Sequence, residues 1–261
     1  MTSLPLAAIE VRTGRFVMRA TICASMLLAM SGTPITAQIP DEFQNLRILP
    51  TDISRDSLLR VMRDFSFALG VRCQYCHVGG DGISFEGVEF HKDDDPDKRK
   101  ARFMLRLVAN LNNQVFPLIP ERDDPPRQIE CKTCHRGLAK PVLLRNVLSS
   151  VLDQHGADSA TATYRRLRES SGMAGVYDFG EWETNTLAEE LAAQGRFRDA
   201  IAIYKLNADF YPRSSAIAGS LGRLYEQVAD TAAAIRSYER TLELRPNHRG
   251  ATERLRVLRG Q

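Results

Sequence analysis

The sequence predicts a mainly α protein: a compact, loop-rich unit first, then an α-helical, tetratricopeptide-like repeat domain. Three observations predict it. Apolar residues recur at helical spacing ahead of two C-x-x-C-H segments. Four of the five cysteines sit in those segments, Cys73-Gln74-Tyr75-Cys76-His77 and Cys131-Lys132-Thr133-Cys134-His135. The last third of the chain repeats itself every 34 residues, with Leu187, Leu221 and Leu255 in register, and likewise Tyr204 with Tyr238 and Pro212 with Pro246.

Composition removes several function classes. A chain of 261 residues, 43% hydrophobic and 26% charged, is ordinary for a globular protein. A formal charge of +3 is too slight for a nucleic-acid partner, and aromatics at 7% with a single Trp182 offer no stacking surface for one. No apolar run is long enough for several membrane spans. Five cysteines, an odd and sparse number, exclude a scaffold built only on disulfides.

Residues 1–37 read as an export signal. Arg12, Arg15 and Arg19 precede the short apolar stretch from Ala20 to Met30, Pro34 breaks it, and Ala37 offers a small residue before a cut ahead of Gln38. Cleavage removes Cys23 and places the rest in an oxidising, periplasmic-type compartment. Without cleavage the same segment would keep the chain at a membrane.

After an irregular lead-in, Ser54 is a good N-cap for a first helix, with Asp56 in its first turn. Leu58, Leu59, Met62, Phe65 and Leu69 form its apolar stripe, and Gly70 ends it just before the first C-x-x-C-H. Residues 78–92 are glycine-rich loop. Asp95 and Pro96 start a second helix, whose predicted stripe is Met104, Leu107, Val108, Leu111 and Val115. Asp93 to Asp95 read as a solvated cap more readily than as a Ca²⁺ site. Four prolines make 117–128 a loop that leads into the second C-x-x-C-H. The predicted division is 1–37 signal peptide, 38–148 C-x-x-C-H domain, 149–180 helical linker, and 181–261 repeats.

C-x-x-C-H is the attachment signature of c-type haem. One turn of chain sets the two thiols at about the separation of the two haem vinyl groups, and the adjacent histidine falls under the iron. Cys73, Cys76, Cys131 and Cys134 are therefore candidate thioether residues. His77 and His135 are the candidate proximal iron ligands. A redox dithiol needs no following histidine, and a shared zinc site would need a much shorter gap than that from Cys76 to Cys131. The first unit is thus expected to be a two-haem cytochrome c domain with two covalently bound haem c groups. For a sixth ligand, Met62 is the leading candidate at the first haem; the competing reading is a core methionine. Arg102, Arg106 and Arg136 could pair with haem propionates or simply face water.

Residues from about Leu58 to Pro141 resemble the C-terminal half of the cytochrome subunit of photosynthetic reaction centres. The features that carry this are a methionine-bearing helix ahead of LGVRCQYCH, then KARFMLRLVANLN, then IECKTCHRGLAKP. The resemblance implies that Met62 is the distal ligand of the first haem. That family has four haems and draws one distal histidine from a half this chain lacks, so the second haem needs another ligand: Met104 first, His91 as runner-up, with His155 and His248 outside the domain. An open sixth position is the remaining arrangement.

The reading is an exported two-haem cytochrome moving single electrons between redox protein partners, among them a membrane electron-transfer complex, with repeats that bind protein. Its rivals are a two-haem peroxidase-type oxidoreductase and a repeat-based adaptor in which haem is structural.

Overall fold

A computed structural model describes residues 39–260 except 41, 122, 123 and 173. The export segment and Cys23 lie outside the described residues. Among the described residues nine α-helices follow one another: α1 (Arg55–Leu69), α2 (Pro96–Asn110), α3 (Cys131–His135), α4 (Leu144–Ser171), α5 (Glu181–Ala193), α6 (Phe197–Phe210), α7 (Ser215–Gln227), α8 (Thr231–Leu244) and α9 (Arg249–Leu258). No β-strand occurs among the described residues, so the chain is mainly α, as its periodicity predicts.

α1 begins as its sequence dictates. Ser54 Oγ accepts from Ser57 N at 3.3 Å, and Gly70 closes the helix in the left-handed region (φ 65°). α2 begins with Asp95 Oδ1 accepting from Asp97 N at 2.7 Å and Pro96 in the first turn. Its stripe differs from the prediction. Leu107 and Val115 are 38% and 43% exposed, whereas Leu105 is half-buried beside Met104 and Val108. The cause at the far end is a five-residue π-turn, Leu111–Val115, which widens the helix and rotates Val115 off the stripe. The same turn points Asn112 at the chain leading into α3.

Beyond residue 143 the helices form a stack. The predicted 34-residue period is visible in the helix starts at residues 181, 215 and 249, and at 197 and 231. Neighbouring helices pack successively from α5 to α9, and α4 packs on α5 and α6. The helical stretch expected to link two units from residue 149 begins instead at Leu144 and is a core element. Leu144, Leu148, Leu152, Ala160 and Tyr164 of α4 are fully buried with Leu187, Leu191, Ile203 and Leu206. Gly156, at φ 80° and ψ 175°, bends α4 midway in a conformation that only glycine adopts readily. Arg168 extends from α4 over the rings of Phe210 (4.5 Å) and Phe179 (5.7 Å), which ties α4 to the stack.

The first unit is built differently. Between residues 39 and 143, only Leu58 and Ala68 are fully buried among the described residues. Large apolar side chains there face outward, Phe67 at 74% and Phe103 at 65% among them. About a hundred residues with so small a protein core need a further source of buried apolar contact to be stable.

Candidate functional site

Each C-x-x-C-H segment is a tight turn held from both ends. In the first, Cys76 N and His77 N both donate to the Cys73 carbonyl, at 3.2 and 3.1 Å, which puts both cysteines and His77 on one turn. Gln74 Nε2 donates to the Ser84 carbonyl at 2.9 Å, and Tyr75 meets the carboxylate of Asp97 at the head of α2. The glycine-rich loop folds back through the Gly79–Val88 bridge and lays the Phe90 ring edge-on against His77, centroids 5.0 Å apart.

The second segment is α3 itself. Glu130 and Thr133 cap it reciprocally. From one side Asn112 clamps its approach: Nδ2 donates to the Ile129 carbonyl at 2.8 Å, and Oδ1 accepts from Ile129 N at 2.9 Å. From the other side Gly137 N donates to the Ala68 carbonyl at 2.8 Å, which joins the end of α3 to the end of α1. α1 therefore packs along the second segment as well as leading into the first.

The histidines differ in their second nitrogen. His135 Nδ1 lies 2.8 Å from the Leu138 carbonyl. A carbonyl can only accept, so Nδ1 carries the proton and Nε2 keeps a free lone pair, as a metal-ligating imidazole requires. His77 Nδ1 is buried without a hydrogen bond of good geometry. Burial, reinforced by the charge of Lys98, lowers the His77 pKa to about 4 against a weaker opposing pull from the Phe90 backbone. His77 is thus neutral at pH 7 and able to donate a lone pair.

Burial holds one thiol of each segment protonated. Burial, helped by Asp95 and Asp97, pushes Cys76 up to about 11, and burial also raises Cys131. Redox-active cysteines have lowered pKa values, unlike these two. All four described cysteines are unpaired. A neutral His77, a His135 oriented through Nδ1, thiol pairs one turn away and outward-facing apolar side chains fit covalent haem.

Both methionine candidates are half-buried, Met62 in mid-α1 and Met104 in mid-α2. His91 is exposed in the turn before α2, where its carbonyl accepts from Asn45 Nδ2 at 2.6 Å. Asp93 is no solvated cap. It gathers Arg102 at 2.8 Å, Lys98 and Arg47 at 3.2 Å, and Asn45 at 2.9 Å. Arg102, a candidate for haem propionates, is thereby committed to Asp93. Lys98 also donates to the carbonyls of Phe90 at 2.8 Å and Lys92 at 2.5 Å, so it braces the loop that touches His77. Asn45, Lys98 and Asn112 had no sequence signal as site residues, because their partners are distant in the chain or lie in irregular loop.

Paired thiols followed at once by a histidine, twice over in an α-helical frame, are the residue set by which c-type cytochromes hold haem. Residues 36–152 match the family described as photosynthetic reaction centre cytochrome C subunit. The chain is 30% identical over 137 residues to the photosynthetic reaction center cytochrome c subunit of Rubrivivax gelatinosus, covering 44% of this chain and 35% of that protein. It is 40% identical over 70 residues to cytochrome c-554 of Chloroflexus aurantiacus, covering 27% and 14%. With the reaction center cytochrome c subunit of Roseobacter denitrificans it shares 27% identity over 124 residues, covering 43% and 30%. The chain thus spans about a third or less of these relatives, and the family match over residues 36–152 takes in both C-x-x-C-H segments.

Proposed function

We propose that this chain is an exported two-haem c-type cytochrome that passes single electrons between redox partners. The observation that carries the reading is His135, whose Nδ1 is fixed by the Leu138 carbonyl so that Nε2 is free beside Cys131 and Cys134. Cys73 and Cys76 would hold one haem with His77 as proximal ligand; Cys131 and Cys134 would hold the other with His135. Haem c, when bound, supplies an iron that alternates between ferrous and ferric forms and so stores one electron. The chain's part is to orient the imidazoles, shield the site with apolar side chains and set the local charge.

Met62 is proposed as the distal ligand of the first haem, supported by its half-buried place on α1 and by the reaction-centre resemblance. Met104 is proposed for the second, ahead of the exposed His91. The 34-residue helix pairs support a tetratricopeptide-like unit, with α4 as its first layer, that binds a protein partner. The relatives named for reaction centres make a membrane electron-transfer complex the proposed setting. Among the described residues no helix is long and apolar enough to cross a membrane. The arginines and apolar stretch ahead of residue 38 support export.

Absorbance of the pyridine haemochrome, with intact mass, tests the reading: two covalent haems per chain and a reversible titration of two electrons are expected. A chain carrying fewer haems, or one whose haems fail to exchange electrons with soluble mediators, would overturn it.

A further inference from the structure

Residues 90–93 form a strap beside His77, and each of its four carbonyls is held by a side chain. Lys98 Nζ donates to the Phe90 carbonyl at 2.8 Å and to the Lys92 carbonyl at 2.5 Å. Asn45 Nδ2 donates to the His91 carbonyl at 2.6 Å, and Arg99 Nη1 to the Asp93 carbonyl at 2.6 Å. Lys98 also pairs with Asp93 Oδ1 at 3.2 Å, so all three of its ammonium protons are committed to the strap. Its side chain is only 12% exposed.

The strap meets the first site at Phe90, whose ring stands edge-on to His77 with centroids 5.0 Å apart and planes at 61°. Phe85 backs that ring, centroids 6.1 Å apart. The two histidines are thus oriented by different means. His135 is oriented by a hydrogen bond through Nδ1 to the Leu138 carbonyl. His77 Nδ1 is buried without a comparable partner. The Phe90 backbone reaches the His77 ring, but its carbonyl is already engaged by the Lys98 ammonium. The plane of the His77 ring therefore depends on packing, and the packing depends on where Phe90 is held.

We infer that Lys98 is a positioning residue for the proximal ligand of the first haem: its ammonium fixes the strap that keeps Phe90 against His77, and so sets the plane of that imidazole. The inference rests on the two-haem reading above. A metal-ligating imidazole ordinarily has its plane and basicity set by an acceptor at its second nitrogen. At His135 the Leu138 carbonyl has that part; at His77 a packed ring, held by a buried cation, takes it over. An imidazole without a strong acceptor is a weaker donor and favours ferrous iron. The positive charge of Lys98 acts in the same direction, because it opposes the additional charge of ferric iron. Loss of Lys98 should therefore turn the imidazole and favour the oxidised form at the first centre alone.

The test uses the full haem-loaded chain, with a haemochrome spectrum taken first, so that a wild-type chain without haem overturns the carrier reading itself. Lys98→Met removes the ammonium and keeps the length of the side chain. It is expected to shift the haem-methyl NMR signals and the EPR g-values of the first site, which report the plane of the axial imidazole, and to lower the midpoint potential of that centre. The second centre should keep its signals and its potential. Glu89 N donates to the Val78 carbonyl and Lys92 N to the Glu89 carbonyl. Hydrogen exchange at these two amides should speed about ten-fold, the factor that losing one charge-assisted hydrogen bond allows. Lys100→Met removes the same charge from an exposed side chain paired with Asp97, and should leave the first-site signals in place. Phe90→Leu leaves the carbonyl to Lys98 and removes only the ring; it is expected to move the same first-site signals, and it serves if Lys98→Met does not fold. First-site signals that stay put in either variant, that move equally in Lys100→Met, or that move together with those of the second site would overturn the inference.

Discussion

Gly70 and Gly137 meet back to back. A Cβ on Gly70 would stand 2.1 Å from the Gly137 carbonyl oxygen, and beside them Gly137 N donates to the Ala68 carbonyl at 2.8 Å. Both glycines have positive φ, 65° and 91°. This junction seats the end of α1 on the end of α3, and so sets where the second C-x-x-C-H stands relative to the helix that carries Met62. Gly70→Ala is therefore expected to cost more than the roughly 1–2 kcal/mol of a left-handed alanine, because the backbone contact must also open. Urea unfolding of the haem-loaded variant measures the loss, and the spectrum of the second haem should change with it.

Met62→Ala is expected to remove one methionine–iron charge-transfer band and lower one midpoint potential; Met104→Ala is expected to do the same to the other centre. Thioether sulfur favours ferrous iron, so its loss favours the oxidised form. Potentiometric titration followed optically reads both variants. If both potentials stay where they are in Met62→Ala, the assignment is wrong. If Met62→Ala alters the haem at Cys131 instead, α1 serves the site it packs against.

Asp93 should make the first unit acid-sensitive. Its hydrogen bond with Arg102, with those of Asn45 and Lys98, holds the carboxyl well below the usual carboxylate range. A folded pKa below the unfolded value of about 3.9 contributes stability at higher pH, and that contribution is lost as pH falls through the unfolded and then the folded value. Unfolding midpoints between pH 7 and pH 3 should therefore drop below about pH 4. Asp93→Asn should start lower and show a shallower drop.

Asn112 supplies both halves of a backbone-like pair to Ile129, two residues ahead of Cys131. Asn112→Ala loses two hydrogen bonds, each worth about 1 kcal/mol, and leaves Ile129 to find water. Stability should fall by about 1–3 kcal/mol in equilibrium unfolding, and haem occupancy should fall at the second site before the first.

Leu148 is fully buried in α4 among residues of α5 and α6. Leu148→Ala should cost about 2–5 kcal/mol in the helical stack. Far-UV circular dichroism should report the loss while the haem spectra hold. If instead the spectra change and the stack does not, α4 belongs with the first unit.

Much of this protein was legible residue by residue. Ser54, Gly70, Asp95 and Pro96 marked helix ends because a cap is a contact between near neighbours. The 34-residue period located the helix starts from 181 onward because the same local pattern recurs. The stripe of α2 departs from its spacing at Val115, since helical spacing assumes a constant turn and the π-turn beginning at Leu111 breaks it; Leu107, ahead of that turn, is exposed for another reason of packing. The start of α4 at Leu144 and its buried face are hidden in the sequence because Gly156 interrupts its period and its low amphipathicity does not mark which side is core.

By itself the sequence determined the chemistry: which four cysteines and two histidines stand together, since five consecutive residues bring thiols and imidazole within one turn whatever lies around them. Only the tertiary structure decided how those two sites differ. That His135 finds the Leu138 carbonyl while His77 Nδ1 is buried unpaired, that Asp93 collects Arg47, Lys98 and Arg102, and that α1 lies along α3 are outcomes of packing. Spacing along a chain specifies faces and ends; which face meets which is settled when burial, hydrogen bonding and charge are satisfied together in three dimensions.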